Sequence, residues 1–150
     1  MPFHLAQLNI ARMLFPLESP EMADFVNNLD RINELADSSE GFVWRLMGDG
    51  NDATSLRPFD DEMIIVNMSV WQNLERLKDY VYKSAHTDIL KRRAEWFEKV
   101  RDAMVVMWWV PAGHEPTVQE AKERLEHLRT HGSSVNAFSF REAFLAPSDS

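Results

Sequence analysis

Asn9 interrupts the apolar run that begins at Phe3, and Asn67 interrupts the run from Met63 to Trp71. A carboxamide on an otherwise apolar strand must find a partner, either neighbouring backbone or a ligand. Both asparagines are therefore candidates to hold an oxygen of a bound molecule. His86 raises a related question. It lies in YVYKSAHTDILKRRAEWF, where a helix would set it on one stripe with Tyr82, Leu90, Arg93 and Phe97 at steps of three and four. That stripe turns His86 and Arg93 inward, toward a cleft beside a sheet. There an imidazole can take or deliver a proton, and a guanidinium on its apolar stem can meet an anionic oxygen. The same spacing also suits a buried neutral imidazole bonded to a backbone carbonyl. Trp71, Trp44, Tyr82 and Phe97 would supply an aromatic wall, although tryptophans are more often core than pocket. Arg45 alternates with Val43 and Met47, as a pocket cation or an ion pair between subunits would.

The remaining polar candidates have simpler readings. His114 falls in a Gly-Pro loop and suits a turn. His127 and His131 stand four apart, a spacing that can hold a metal, but at a helix end a cation simply meets the dipole. Asp60, Asp61 and Glu62 read as solvated, without a calcium-loop pattern. No phosphate loop, Gly-x-Ser-x-Gly elbow or dinucleotide fingerprint is present.

The elements that must position these residues follow from periodicity. Phe3 to Ala11 reads as a strand. Ser19-Pro20-Glu21 reads as a capped helix start, and Met22, Phe25, Val26, Leu29, Ile32 and Ala36 form one apolar face that ends before Gly41. Phe42 to Met47 and Met63 to Trp71 are strands separated by a turn-rich loop. A second helical pattern carries Leu74, Leu77 and Val81, and continues or restarts toward Val100. Ala103 to Val110 is a fourth strand, and Thr117 with Glu120 forms a capping box for a last helix that ends near Gly132. Phe138-Ser139-Phe140 is a short alternating piece. The order predicts one α+β domain over 1–150, ferredoxin-like βαββαβ with an extra C-terminal helix and a partly extended tail from about 133. On the third strand Met63, Ile65, Asn67, Ser69 and Trp71 share one face, and Ile64, Val66, Met68 and Val70 the other. With helices on one face, the other would be left apolar and wet. The expected cover is a second copy, giving a homodimer packed sheet on sheet about a two-fold axis, with the Phe138–Phe140 piece crossing to the partner.

Composition bounds the partners. The 150 residues carry a formal net charge of −8, which disfavours nucleic acid and anionic membrane. There is no cysteine, so disulfides and thiolate metal sites are excluded. The N-terminal run has no basic leader, and no apolar run approaches a membrane span, so a soluble, cytoplasmic protein is expected.

The run IIVNMSVWQNLERLKDYVYKSAH resembles the signature of the dimeric α+β barrel superfamily, with Val70-Trp71 closing a strand and Ala85-His86 following the helix. That superfamily includes cofactor-free antibiotic-biosynthesis monooxygenases, heme-degrading monooxygenases, and small isomerases and dehydratases. The resemblance implies a dimeric α+β barrel with a pocket between helices and sheet, open to a flat aromatic or polyketide-like molecule. It makes His86 the base, aided by Asn9 or Asn67, with no cofactor. In a heme-binding alternative, Asn9, Trp71 and His86 would surround the ligand and His86 would be axial. The Trp71-to-His86 interval is about one helical turn shorter than that alternative expects. Over its whole length, through RPFDDE, SAHTDILKRRAEWF and WWVPAGHEPT, the chain is more similar to a bacterial branch known only as a domain of unknown function. A hydrophobic-ligand-binding dimer without turnover is the reading from another class.

Overall fold

The structure is a computed structural model that describes residues 3–47, 58–83, 91–99 and 103–147. Four strands, β1 (Phe3–Arg12), β2 (Phe42–Arg45), β3 (Ile64–Trp71) and β4 (Val105–Pro111), alternate with helices α1 (Ala23–Asp37), α2 (Leu74–Lys83), a single turn α3 (Arg93–Trp96), and a final α4 (Val118–His131). The sheet order is β2-β3-β1-β4, with every neighbouring pair antiparallel. This is the split βαβ arrangement read from the sequence, and it follows from two crossover helices each skipping one strand.

The two faces of β3 are those the alternation predicts, but their covers differ from expectation. Trp71 packs with Leu5, Met107, Ala36 of α1 and Leu77 of α2, while Ile65 packs with Met13, Met22 and Trp96. Val66, Met68 and Val70, with Ala6, Leu8, Ile10, Val106, Trp108 and Val110, are covered by Ala121, Leu125 and Leu128 of α4. The expectation of a bare second face is therefore overturned. α4 presents apolar positions at steps of three and four, and these close the face within one chain. The physical ground for a sheet-on-sheet homodimer goes with that bare face. Nor does the Phe138–Phe140 piece need a partner to pair with. Met107 N donates to Phe138 O at 2.8 Å and Phe138 N to Met107 O at 2.9 Å, which binds the tail to the chain's own β4.

Local chemistry corrects several element ends. Ser19 does not cap through its side chain. Its hydroxyl donates to Pro16 O at 2.6 Å, and a 3-10 turn, Pro20–Met22, precedes α1. α2 instead has Asn73 as its side-chain cap, accepting from Arg76 N at 2.9 Å. Gly41 has φ +87°, and a Cβ there would meet Arg76 Cγ at 2.4 Å, so only glycine lets this turn approach α2. The second helical pattern restarts, as α3, rather than running through to Val100. Arg92 anchors α3 by bonds to Asp24 of α1 and to Glu95, with its guanidinium 4.7 Å from the Trp96 ring centre. Asp61 is likewise structural, accepting from Arg12 at 2.6 Å and Met63 N at 2.8 Å.

The capping box of α4 is half made. Thr117 Oγ1 accepts from Glu120 N at 3.1 Å, but the Glu120 carboxylate turns away to Trp108 Nε1 and His114 Nε2, each at 2.7 Å. The buried indole N–H can only donate and needs that acceptor. Burial works against Glu120 ionisation, but the bonds from His114 and Trp108 outweigh it and hold the carboxyl below its ordinary range. A carboxyl depressed in the folded state stabilises above its unfolded pKa of about 4.3, and that stability is lost as pH falls through the lower folded value. The melting temperature is therefore expected to drop on acidification through that window. Glu120→Gln should flatten part of the drop, and an unchanged pH slope in the variant would refute the assignment.

Candidate functional site: a carboxamide strip on the helix-facing side of the sheet

The register of β1 against β3 sets Asn9 opposite Asn67, Gln7 opposite Ser69, and Leu5 opposite Trp71. Because side chains alternate, all six share the face that carries α1 and α2. Four of them form a polar strip between two apolar clusters. At one end Trp71 stacks on Tyr80, with centroids 5.1 Å apart and planes 28° apart, and meets Phe42 edge-on. At the other end Ile65 packs with Met13 and Trp96, and Phe25 meets Phe97 edge-on at 5.0 Å.

The strip is joined by a chain of side-chain hydrogen bonds. Trp71 Nε1, which can only donate, gives its proton to Ser69 Oγ at 2.9 Å. Gln7 Nε2 donates to the same oxygen at 2.7 Å and to Asn67 Oδ1 at 2.9 Å. Gln7, Ser69 and Trp71 are buried, whereas Asn67 and Asn9 are exposed. The carbonyl of Asn67 is held by Gln7, at the exposed end of the strip. Asn9, its cross-strand neighbour, makes no side-chain hydrogen bond among the described residues. The chain of bonds thus starts on a buried indole and ends on an exposed amide.

Charged groups close the strip toward β2. Arg45, opposite Ser69 in the register, is buried and bonds Asp37 of α1 through Nε at 2.7 Å. The structure gives Arg45 an ion pair within the chain, which is neither of the two roles read from the sequence. Tyr80 donates to Ile32 O at 3.2 Å, and burial pushes its phenol up from the ordinary value against the opposing pull of Arg45. It stays a protonated donor at neutral pH.

The candidates from sequence separate. Asn9, Asn67 and Trp71 come together, with Phe97 in the flanking cluster. Trp44 packs on the other face, against the α4 side. Arg93 is exposed on α3, and Tyr82 is exposed with its ring edge-on to Phe140 at 5.7 Å, so the inward stripe is not formed there. His86 lies outside the described residues. Gln7 and Ser69 went unassigned, although each is two positions from an asparagine on the same face, a period-two signal. Trp71, which the heme alternative would set beside the ligand, is buried with its N–H and one ring face committed. That placement does not suit a heme wall.

Elsewhere, two open depressions of about 430 Å³ flank α4, one by Arg129, Ser133 and Arg141, the other by Phe59, Lys122 and Glu126. Neither touches the strip. Among the described residues no group of three or more His, Asp or Glu is placed to hold a metal, and no helix is long and apolar enough to cross a membrane.

The comparisons with known proteins agree with the second resemblance read from the sequence. Residues 4–150 match the family described as "Domain of unknown function (DUF3291)", and the chain belongs to that family. No curated protein matches it. Solved structures similar to it include NE2512, a protein of unknown function from Nitrosomonas europaea, at 9% identity and TM-score 0.47, covering 77% of this chain and 94% of that one. A mutant of SnoaB, a cofactor-independent oxygenase from Streptomyces nogalater, is 12% identical with TM-score 0.49, covering 75% and 95%.

Proposed function

We propose that the carboxamide strip is the floor of a site for a flat apolar or aromatic small molecule, and that the protein is monooxygenase-like and cofactor-free. The observation that carries this reading is the bonded chain from Trp71 through Ser69 and Gln7 to Asn67. It links an amide at the surface of the strip to the apolar clusters on either side, and a bound apolar molecule that excludes water there would strengthen that amide's hold on an oxyanion. In the proposed reaction a methylene conjugated with a ketone through fused aromatic rings loses a proton to His86. The resulting carbanion reacts with dioxygen, and the methylene becomes a carbonyl with release of water. Electrons come from the substrate. Asn67, with Asn9, would hold the enolate oxygen. The assignment of His86 comes from its sequence pattern, that of Asn67 from geometry.

Anthrone provides the test. The wild type is expected to consume one dioxygen per anthrone. Asn67→Leu should lower the rate by about 10²-fold or more, the usual cost of one oxyanion donor, and His86→Ala should abolish turnover in a folded protein. Unchanged rates in both variants would reject the site.

A specific feature favours a second reading, a binding module without turnover. Gln7, Asn9, Asn67 and Ser69 do not titrate near neutral pH, so the strip can grip but cannot itself move a proton. Anthrone that binds and is recovered unchanged would select this reading. Adding hemin should give no Soret band.

A further inference from the structure

We infer that Asn33 of α1 is a ligand-contacting residue of this site, and that it takes a hydroxyl group carried on the edge of the aromatic ligand. The inference rests on the reading of this face as an aromatic-ligand site and deepens it by naming a polar substituent of the ligand. Asn33 is 8% exposed, yet its carboxamide makes no hydrogen bond among the described residues. A buried carboxamide without a partner costs stability, and packing alone favours an apolar side chain of the same size there.

The residues on either side of Asn33 set its place over the strip. Met22 packs with Ile65 at one end, and Ala36 packs with Trp71 at the other. From Met22 to Ala36 a helix rises about 20 Å, and from Ile65 to Trp71 a strand advances about the same distance. Helix and strand therefore keep step along the face. Asn33 lies about 4.5 Å before Ala36 along the helix axis, which is the level of Ser69 and Val70 on β3. At 3.6 residues per turn it points within about 20° of Met22, on the side that α1 turns to the sheet. Asn9 and Asn67 stand on the floor, and α1 brings a third carboxamide from above. A flat molecule lying on the strip would have one edge at Asn33.

A carboxamide has a donor end and an acceptor end. Both ends of Asn33 are uncommitted, so turning the amide over exchanges them without changing what they ask of a ligand. A hydroxyl donates and accepts, and it meets either orientation. An ether oxygen only accepts, and a hydrocarbon edge does neither.

Three bicyclic probes separate these cases: 2-naphthol, 2-methoxynaphthalene and naphthalene, each titrated into the full chain. The wild type is expected to bind 2-naphthol about tenfold more tightly than naphthalene, the worth of one net hydrogen bond, with the ether between them. Asn33→Leu should bring the three within about twofold and leave the affinity for naphthalene as in the wild type. It should also raise the urea midpoint of the ligand-free protein, because it leaves no polar group unpaired. Asn33→Ala, which adds no bulk, should lose the preference in the same way and decides the matter if the leucine variant does not fold. Retention of the 2-naphthol preference in either folded variant would overturn the inference, and a lowered midpoint beside it would make Asn33 a structural group. Equal binding of the three probes by the wild type would overturn it too. Both results leave the aromatic site standing, whereas failure of all three to bind would remove site and inference together.

Discussion

Leu125→Ala will lower the unfolding free energy by about 2–5 kcal/mol, the range for deleting a buried leucine side chain. Leu125 is 1% exposed, and it packs with Met68, Val70 and Trp108 on the sheet face that α4 covers. The loss has two sources, the transfer of the removed carbons and the cavity left beside a rigid sheet that cannot collapse into it. In urea the midpoint should fall with an unchanged slope, since the folded and unfolded surfaces are nearly the same. Glu123→Ala, on the exposed side of the same helix, should stay within about 0.5 kcal/mol of the wild type. If the two variants cost the same, α4 does not cover the sheet, and a second copy returns as the cover for that face.

The second large effect is at Trp71, which joins the core to the strip. Trp71→Ala should cost about 3–5 kcal/mol, because it removes the ring that stacks on Tyr80 and meets Phe42. Trp71→Phe keeps one aromatic ring there and removes the indole N–H with the second ring, leaving Gln7 as the donor to Ser69 Oγ among the described residues. That variant should cost less, about 1–3 kcal/mol. Urea denaturation of both measures the split. Equal losses would mean that the N–H bond, and not the ring packing, is what Trp71 supplies.

Strand alternation made much of this legible in advance. The two faces of β3 could be read from Ile65, Asn67, Ser69 and Trp71 against Val66, Met68 and Val70, because period two is a backbone property. Asn9 and Asn67 could each be named but not paired, since their pairing depends on the β1 to β3 register, which contact between distant segments decides. Trp44 shows the limit of alternation. A register shift between Phe42 and Trp44 puts that ring on the α4 face, away from the strip. Arg93 was placed by a helical stripe drawn from Tyr82 to Phe97, and α3 is a separate turn of Arg93–Trp96. The largest misreading concerned α4. Its apolar positions were visible, but a helical stripe does not say which surface it meets, and the sheet face it meets had been assigned to another molecule.

The last feature is the tail laid along β4. The outer rim of a sheet is a template, with unpaired amides ready to accept any extended peptide. By seating Phe138 against Met107, the chain fills part of that rim with its own residues. The opposite rim is β2, four residues long and irregular in register, which offers little length for a foreign strand. Growth into ribbons is thus hindered at both margins, and the C-terminal segment acts as a stopper supplied by the chain itself.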